Sequence, residues 1–262
     1  VAHRGMRRTW RAPRFSRCPV CTTVSARLSS SRLLCGLAPR ALTPRGTAPM
    51  PDVVAHGRAP KHLACAYCHL PNGTGRPENA TLAGLPEAYI VAQMDVFRSS
   101  ARRSPLPAYV PGISMHAVAM NATDADVASA ARYFSRLKSA PRVKVIESAR
   151  VPRMREAAFV YARVPDAGTE PIGGRIVEGP SDFERHELRD DALTYVAYVP
   201  PGSIERGRSI ATNGPNGRAT ACVSCHGAKL LGAGVVPALA GRYPTYIVRQ
   251  LVAFRTGARS TP

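Results

Sequence analysis

The stretch Cys65-Ala66-Tyr67-Cys68-His69 decides the fold, because the chain contains this pattern twice. The second copy, Cys222-Val223-Ser224-Cys225-His226, lies 157 residues downstream. The same offset aligns the following sequence without a gap, pairing Leu82 with Leu239, Gly84 with Gly241, Tyr89 with Tyr246, Gln93 with Gln250, Phe97 with Phe254, Arg98 with Arg255 and Arg102 with Arg259. Matching downstream sequence indicates an internal repeat rather than a chance motif.

Each copy has the spacing that covalent haem attachment requires. Two cysteines three positions apart can add across the vinyl groups of a haem as thioethers, and the adjacent histidine is then held beneath the iron. Zinc is the main alternative, since Cys-x-x-Cys with histidine also suits tetrahedral Zn²⁺. Zinc would need a fourth ligand at each site and gives no reason for the histidine to follow directly. We therefore predict two covalently bound c-type haems, with attachment and axial residues Cys65, Cys68, His69, Cys222, Cys225 and His226.

The sixth iron ligand of the first site should come from further along the chain. The candidates are Met94, Met115, His116 and Met120. Met94 lies on the apolar face of a predicted helix, where methionine is more often core than ligand. We favour Met115, which we place in an irregular stretch between a proline-rich loop and the last helix; Met120 is second. A thioether sulfur would raise the reduction potential relative to a second histidine.

The chain divides into four predicted segments. Residues 1–50 are rich in Arg, Ser, Pro and Ala, and they read as a disordered basic tail, a targeting segment or a wrongly assigned start, without a recognisable export signal. Residues 51–140 form the first haem domain. Residues 141–203 form a linker with short strands, and residues 204–262 form the second domain. The predicted fold class is mainly α, with two tandem haem domains joined by a partly β linker.

Local patterns predict the elements within these segments. Proline and apolar spacing predict a helix from Pro86 to about Arg98, and Thr123 caps a helix that continues to about Leu137. Residues 104–114 read as a proline-rich loop. Further predictions are strands at 143–147 and 194–199, a helix at 204–210, and a solvated Glu184-Arg185-His186-Glu187 in which a ligand role for His186 is disfavoured.

The formal net charge of +19 is unevenly distributed. Residues 1–50 contain ten arginines and no acidic residue, so the rest of the chain contributes +9. A basic surface can attract nucleic acid, but we favour a basic rim that docks acidic redox partners and predict no nucleic-acid function. No apolar run approaches the roughly 18 residues that cross a bilayer, so we expect no transmembrane segment.

The two motifs, together with the Leu-Ala-Gly, Tyr-Ile-Val, Gln and Phe-Arg stretches, resemble dihaem class I cytochromes c of the c4 and c553 type. Ser114-Met115, followed by the Asn121–Val127 segment and Tyr133-Phe134, completes the likeness. In that family the axial methionine precedes the start of the last helix by seven residues, which selects Met115 over Met120. The resemblance covers about residues 55–140 and 200–262. It implies periplasmic one-electron transfer between two haems in a pseudo-symmetric pair of domains.

The sequence departs from this family pattern in the second repeat. The offset of 157 would place the second axial methionine near position 272, after the last residue, Pro262. We therefore expect a second domain that lacks its C-terminal helix. A truncated sequence, an incompletely folded domain and an open iron site are the three explanations, and truncation is favoured.

Three functions are compatible with these observations. The first is a periplasmic electron carrier, in solution or at the membrane surface, that passes single electrons from a dehydrogenase or reductase to a terminal acceptor and is not itself an enzyme. The second is a cytochrome subunit of a larger dehydrogenase or oxidase complex. The third is a dihaem peroxidase, which also has two such motifs but is disfavoured because these enzymes are generally longer and do not show this internal repeat with a c4-like last helix.

Overall fold

The structure is a computed structural model that describes residues 49–106, 108–157, 159–215 and 220–260. The predictions for residues 1–48 and for the three cysteines there lie outside the described residues. The helices of the first repeat are α1 (Asp52–Ala55), α2 (Cys65–His69), α3 (Glu87–Arg98), α4 (Val110–Asn121) and α5 (Asp124–Ser135). The predicted helix after Pro86 is confirmed as α3.

The core of the first repeat lies between α1, α3 and α5. It is formed by apolar side chains of these helices, of the loop before α3 and of the residues just after α5, namely Val53, Val54, Ala83, Leu85, Ile90, Ala131, Tyr133, Phe134 and Leu137. The predicted start of α5 is confirmed: the Asp126 amide donates to Thr123 Oγ1 at 3.1 Å and the Thr123 amide donates to Asp126 Oδ2 at 3.3 Å. This capping box fixes the start of α5. Arg58 also donates to Asp126 Oδ1 at 2.6 Å, and this bond ties α5 to the loop between α1 and α2.

The prediction for residues 104–114 is wrong in its second half. Helix α4 begins at Val110 and therefore includes Pro111 and Gly112. Proline is tolerated in the first turn of a helix, where its missing N–H would have no intrahelical partner in any case. Met115 consequently lies within a helix and not in an irregular stretch.

The linker, which lies between the two repeats in the sequence, forms a small sheet, as its β-rich pattern predicts. Its strands run in the order β1 (Val143–Glu147), β7 (Tyr195–Val199) and β6 (Val177–Pro180), with β1 parallel to β7 and β6 antiparallel to it. Val143 pairs with Tyr195 in this register. The linker elements are β1 (Val143–Glu147), β2 (Arg150–Pro152), β3 (Met154–Ala157), β4 (Val160–Arg163), β5 (Thr169–Pro171), β6 (Val177–Pro180), α6 (Phe183–Glu187) and β7 (Tyr195–Val199).

The second repeat reproduces two helices of the first at the same offset. After the leading helix α7 (Ser203–Asn213) come α8 (Cys222–His226) and α9 (Pro244–Arg255). Their bounds are those of α2 and α3 shifted by 157 positions. Apolar side chains on α9 are nevertheless exposed, with Leu251 exposed to 60%. In the first repeat, the matching helix α3 packs against α4 and α5.

His186 is buried, which corrects the prediction of a solvated segment. Its side chain is 0% exposed, although Glu184, Arg185 and Glu187 around it are exposed as predicted. Its Nδ1 lies 3.0 Å from the hydroxyl oxygen of Tyr195, and Arg76 Nη1 donates to its carbonyl oxygen at 3.2 Å. These partners come from β7 and from the loop after the first motif, so His186 joins the linker to the first repeat.

The buried His186 should make the stability of the fold depend on pH. Burial, with smaller effects from the charges of Arg76 and Arg189, lowers the pKa of His186 from 6.5 to about 4. At a pH between these two pKa values, His186 is protonated in the unfolded chain but neutral in the folded chain. The free energy of unfolding should therefore decrease as the pH falls from 6.5 to about 4. At about 1.4 kcal/mol per pKa unit, the decrease is on the order of 2 to 3 kcal/mol.

Denaturant unfolding of the holoprotein across this pH range measures the effect. His186→Gln should flatten the slope of the unfolding free energy against pH. Equal slopes for wild type and His186→Gln would show that His186 does not carry this pH dependence.

In the described part of the chain, none of the helices is long and apolar enough to cross a membrane.

Candidate functional site

Two short helices, α2 and α8, carry the cysteine and histidine side chains of the two motifs. The four cysteines Cys65, Cys68, Cys222 and Cys225 are free of disulfide bonds. Burial raises the pKa of the Cys65 thiol to about 12 and raises that of Cys68 as well. All four thiols are unpaired, and a reduced, unpaired thiol is what adds across a vinyl group. They fit a haem attached by thioether bonds.

The imidazole of His69 is held in a defined orientation by the loop that follows its helix. Its Nδ1 lies 2.8 Å from the carbonyl oxygen of Ala80, so Nδ1 carries the hydrogen and donates it. Burial lowers the pKa of His69, and the nearby charge of Arg102 adds to this, while the bond to Ala80 acts in the opposite direction. A neutral imidazole tied back through Nδ1 presents Nε2 as a metal ligand.

The second motif repeats this arrangement. His226 Nδ1 lies 2.7 Å from the carbonyl oxygen of Pro237, and Pro237 is the position that corresponds to Ala80 at the offset of 157. The intervening loops also match. The amide of Gly75 donates to the His69 carbonyl at 3.0 Å, and the amide of Gly232 donates to the His226 carbonyl at 2.9 Å. The two histidines are thus positioned by the same backbone geometry.

The acceptor carbonyls of Ala80 and Pro237 were not predicted as site groups. A backbone carbonyl has no side-chain signature, so the motif alone could not identify it. The equal spacing from each motif to its acceptor could have indicated these carbonyls, because loops of equal length place the same backbone atom beside the histidine in both repeats.

Gly75 controls the position of the Ala80 carbonyl. Its φ is +62°, and a Cβ there would lie 2.4 Å from that carbonyl oxygen. Gly75→Ala should therefore displace the acceptor of His69 Nδ1 and reduce the free energy of unfolding by about 2 kcal/mol or more. Urea denaturation followed by circular dichroism would measure the loss, and absorption spectra of the haem protein would report the loosened His69.

Gly168→Ala is the matched control for this substitution. Gly168 has φ of +68°, and a Cβ there would have no heavy atom of the described residues within 4 Å. This variant should lose only the cost of a left-handed non-glycine residue, about 1 kcal/mol. Equal losses in the two variants, with unchanged haem spectra, would contradict a role for Gly75 in holding His69.

The candidates for the sixth ligand occupy different environments on α3 and α4. Met115 is half-buried on α4, whereas Met120, at the end of the same helix, is 59% exposed. His116 Nδ1 lies 2.9 Å from the carbonyl oxygen of Phe97, which leaves its ring engaged with α3. Met94 is half-buried on α3, in keeping with a packing role. Exposure thus separates Met115 from Met120, and the assignment of Met115 stays a prediction.

Within the described ranges, no three His, Cys, Asp or Glu side chains come together in a way that could hold a metal ion.

Comparisons with known proteins give the following likenesses. No protein-family description matches the chain. The chain is 28% identical over 204 residues to a thiosulfate dehydrogenase electron acceptor from Thiomonas intermedia (strain K12). The matched region covers 77% of this chain and 67% of that protein. Among solved structures, thiosulfate dehydrogenase (TsdBA) from Marichromatium purpuratum, in its as-isolated form, has a TM-score of 0.51 and 26% identity. The likeness covers 79% of this chain, which spans about a third (33%) of that longer chain.

A cytochrome c4 from Acidithiobacillus ferrooxidans is a weaker structural likeness, with a TM-score of 0.47 and 24% identity over 75% of this chain and 83% of that one. The motifs, the oriented histidines and the sequence likenesses agree. They support the cytochrome c family. These likenesses support haem binding and electron transport of the kind that c-type cytochromes perform.

Proposed function

We propose that this c-type cytochrome is a dihaem carrier of single electrons between a periplasmic or membrane dehydrogenase or reductase and a terminal acceptor. The observation that supports this most strongly is the duplicated orientation of the motif histidines. In each repeat Nδ1 is tied to a loop carbonyl, at 2.8 Å for His69 and 2.7 Å for His226, so that Nε2 is presented to an iron. Haem bound there would supply the one-electron chemistry.

The proposal assigns a role to each motif residue. Residues 51–140 and 204–262 are the two haem domains, and residues 141–203 are the linker between them. His69 and His226 would be the proximal iron ligands, and Met115 the second ligand of the first haem. The thioether bonds would be made by Cys65, Cys68, Cys222 and Cys225.

The second repeat offers the more basic surface for a redox partner. The sequence from residue 203 to residue 260 contains one acidic residue, Glu205. Exposed cations on this part of the chain are Arg206, Arg208, Lys229 and Arg255. Such a field would speed association with an acidic partner and would be screened by salt.

The likeness to a thiosulfate dehydrogenase electron acceptor suggests a dehydrogenase of that kind as the electron donor. A second candidate is a cytochrome that forms part of a larger dehydrogenase. This candidate is suggested by the TsdBA structure, because the likeness to this chain covers only 33% of that longer chain. Size-exclusion chromatography of native extract separates these candidates, because a free carrier would elute near the size of the chain and a subunit would elute with its complex.

The full chain, produced in a host that matures c-type cytochromes, provides the test of the function. Haem should remain with the polypeptide on a denaturing gel, and the pyridine haemochrome assay should give two haems per chain. Voltammetry should show two one-electron processes, and the rate of reduction by an acidic redox protein should fall as ionic strength rises. A chain that carries no haem after maturation, or that turns over peroxide as its main activity, would overturn the proposal.

A further inference from the structure

Each motif histidine is oriented by a short loop, and the two loops are equivalent at the offset of 157. The first orienting loop comprises residues 75–81 and contains the Ala80 carbonyl that accepts from His69. The second orienting loop comprises residues 232–238 and contains the Pro237 carbonyl that accepts from the other motif histidine. Each loop ends one residue after its acceptor, so a contact at the end of a loop acts directly beside the acceptor carbonyl.

The guanidinium group of Arg242 bonds to the last residue of both loops. Its Nη1 donates to the carbonyl oxygen of Thr81 at 3.0 Å, and its Nε donates to the carbonyl oxygen of Ala238 at 3.1 Å. Thr81 and Ala238 are equivalent positions in the two repeats. A single side chain therefore links the two orienting loops at matching points, although it belongs to the second repeat alone.

The chemistry of Arg242 suits it to hold these carbonyls in place. Its residue is 7% exposed, and among the described residues no Asp or Glu forms an ion pair with it. Hydrogen bonds from a charged donor are stronger than those between neutral groups, and losing them in a buried place is costly. The planar guanidinium also fixes the directions of its donors, so the two carbonyls are held in a defined position relative to each other.

Two further side chains of the second repeat bond to the first orienting loop. The hydroxyl group of Tyr243, which is 2% exposed, donates to the Gly75 carbonyl at 3.2 Å. Arg249 Nη2 donates to the Pro77 carbonyl at 2.9 Å. These bonds hold the beginning and the middle of the loop, and Arg242 holds its end. The second repeat thus contacts the first orienting loop along its whole length.

The first repeat cannot return these contacts. At the positions equivalent to the three donors, it has side chains that donate no hydrogen bond, namely Leu85, Pro86 and Ala92. An open cleft of about 200 Å³ lies between the second orienting loop and the stretch of the first repeat that contains Gly84 and Pro86. Of the three donors, Arg242 is therefore the one that serves both loops.

We propose that Arg242 is a shared positioning residue that orients both motif histidines through the carbonyls of the two loops. This inference rests on the proposed dihaem function. Loss of either bond would let the end of its loop shift, and the acceptor carbonyl one residue earlier would move with it. Because the bond at Nδ1 fixes the ring and raises the basicity of an iron-ligating imidazole, a change at this one side chain should reach both haem sites.

The test uses the full-length holoprotein with Arg242→Met, which removes both hydrogen bonds and keeps a long apolar stem. In the reduced protein, NMR should show that exchange of the Nδ1 hydrogen with D₂O becomes about tenfold faster at both His69 and His226, the factor that follows from losing a hydrogen bond to a charged group. This increase should exceed that of the backbone amides in α5, which report the overall stability of the fold. An increase at one histidine alone would overturn the shared role, and an equal increase at the α5 amides would show that Arg242 only stabilises the fold.

Two substitutions serve as matched controls. Tyr243→Phe removes a buried bond to the first loop only, so exchange at His226 should stay within twofold of the wild-type rate. Arg255→Met removes an exposed cation of α9 and should leave both histidines within twofold. A response of His226 to Tyr243→Phe as large as its response to Arg242→Met would contradict a specific role for the arginine.

A measurement on the wild-type protein decides the question if Arg242→Met folds poorly. In protein labelled with ¹⁵N-arginine, the Nε hydrogen of Arg242 should be protected from exchange, and rotation about the Cζ–Nη1 bond should be slow, because both groups are hydrogen-bonded in a buried place. Fast exchange together with free rotation would show that the guanidinium does not hold the loops.

The haem content separates a failure of this inference from a failure of the proposed function. Two haems per chain, combined with unchanged Nδ1 exchange in Arg242→Met, would reject the positioning role alone. A chain that carries no haem after maturation would reject the proposed function, and this inference with it.

Discussion

Replacing both Cys65 and Cys68 with alanine is expected to yield a protein that carries one covalent haem instead of two. The thiols of this pair are free of disulfide bonds, as thioether formation requires. Without them the haem has no covalent anchor, and His69 Nε2 alone would hold it reversibly. Intact mass under denaturing conditions should therefore fall by one haem, and the pyridine haemochrome assay should give half the wild-type value.

The sequence offers two matched comparisons for this experiment. Alanine at both Cys222 and Cys225 should remove the other haem and give the same mass. Alanine at both Cys18 and Cys21 should leave two haems in place, because Thr22 stands where the ligand histidine would be. An unchanged haem content after loss of the Cys65 and Cys68 pair would exclude thioether attachment at the first motif.

Substituting Met115 with alanine is expected to change the ligation of the first haem while leaving the second unaffected. Met115 is half-buried on α4, which packs against α3. If its thioether is the second axial ligand, the variant should lose the red absorption band of methionine-ligated ferric haem and should bind added imidazole. The reduction potential of that haem should fall by on the order of 0.1 V, within the ~0.8 V range that axial ligands set.

Met120→Ala and Met94→Leu provide the comparison for Met115. Met120 is 59% exposed, so its removal should leave the spectrum and the potential unchanged. Leucine at position 94 preserves the apolar volume on α3 and should cost less than about 1.5 kcal/mol of stability. Persistence of the red band in Met115→Ala, with its loss in Met120→Ala, would reassign the ligand.

The internal repeat made part of the fold predictable. The apolar spacing after Pro86 and the cap at Thr123 are local signals, and both elements occur where these signals place them. The pairing of the strands was harder to predict from the sequence. The β-branched patterns located β1 and β7, but their parallel alignment joins residues about 50 positions apart in the sequence. No local pattern encodes such a register, because it is selected by packing.

Two predictions failed because local sequence was an incomplete guide to environment. Pro111 and Gly112 suggested a loop, yet they occupy the first turn of α4, where proline loses no helical hydrogen bond. The charges around His186 suggested solvent, yet this one side chain turns inward between Arg76 and Tyr195. Its neighbours Arg185 and Glu187 remain exposed, so the charge of the segment did not report the burial of its central residue.

By itself, the sequence determined the chemistry of the motifs, because two thiols and an imidazole at fixed spacing specify their possible reactions wherever they fold. Only the tertiary structure decided how these groups are held and joined. The carbonyls that orient His69 and His226 are backbone atoms, and the isolated bridge between Arg102 and Arg259 joins backbone segments that lie 157 positions apart. Such groups become neighbours only when the chain closes on itself.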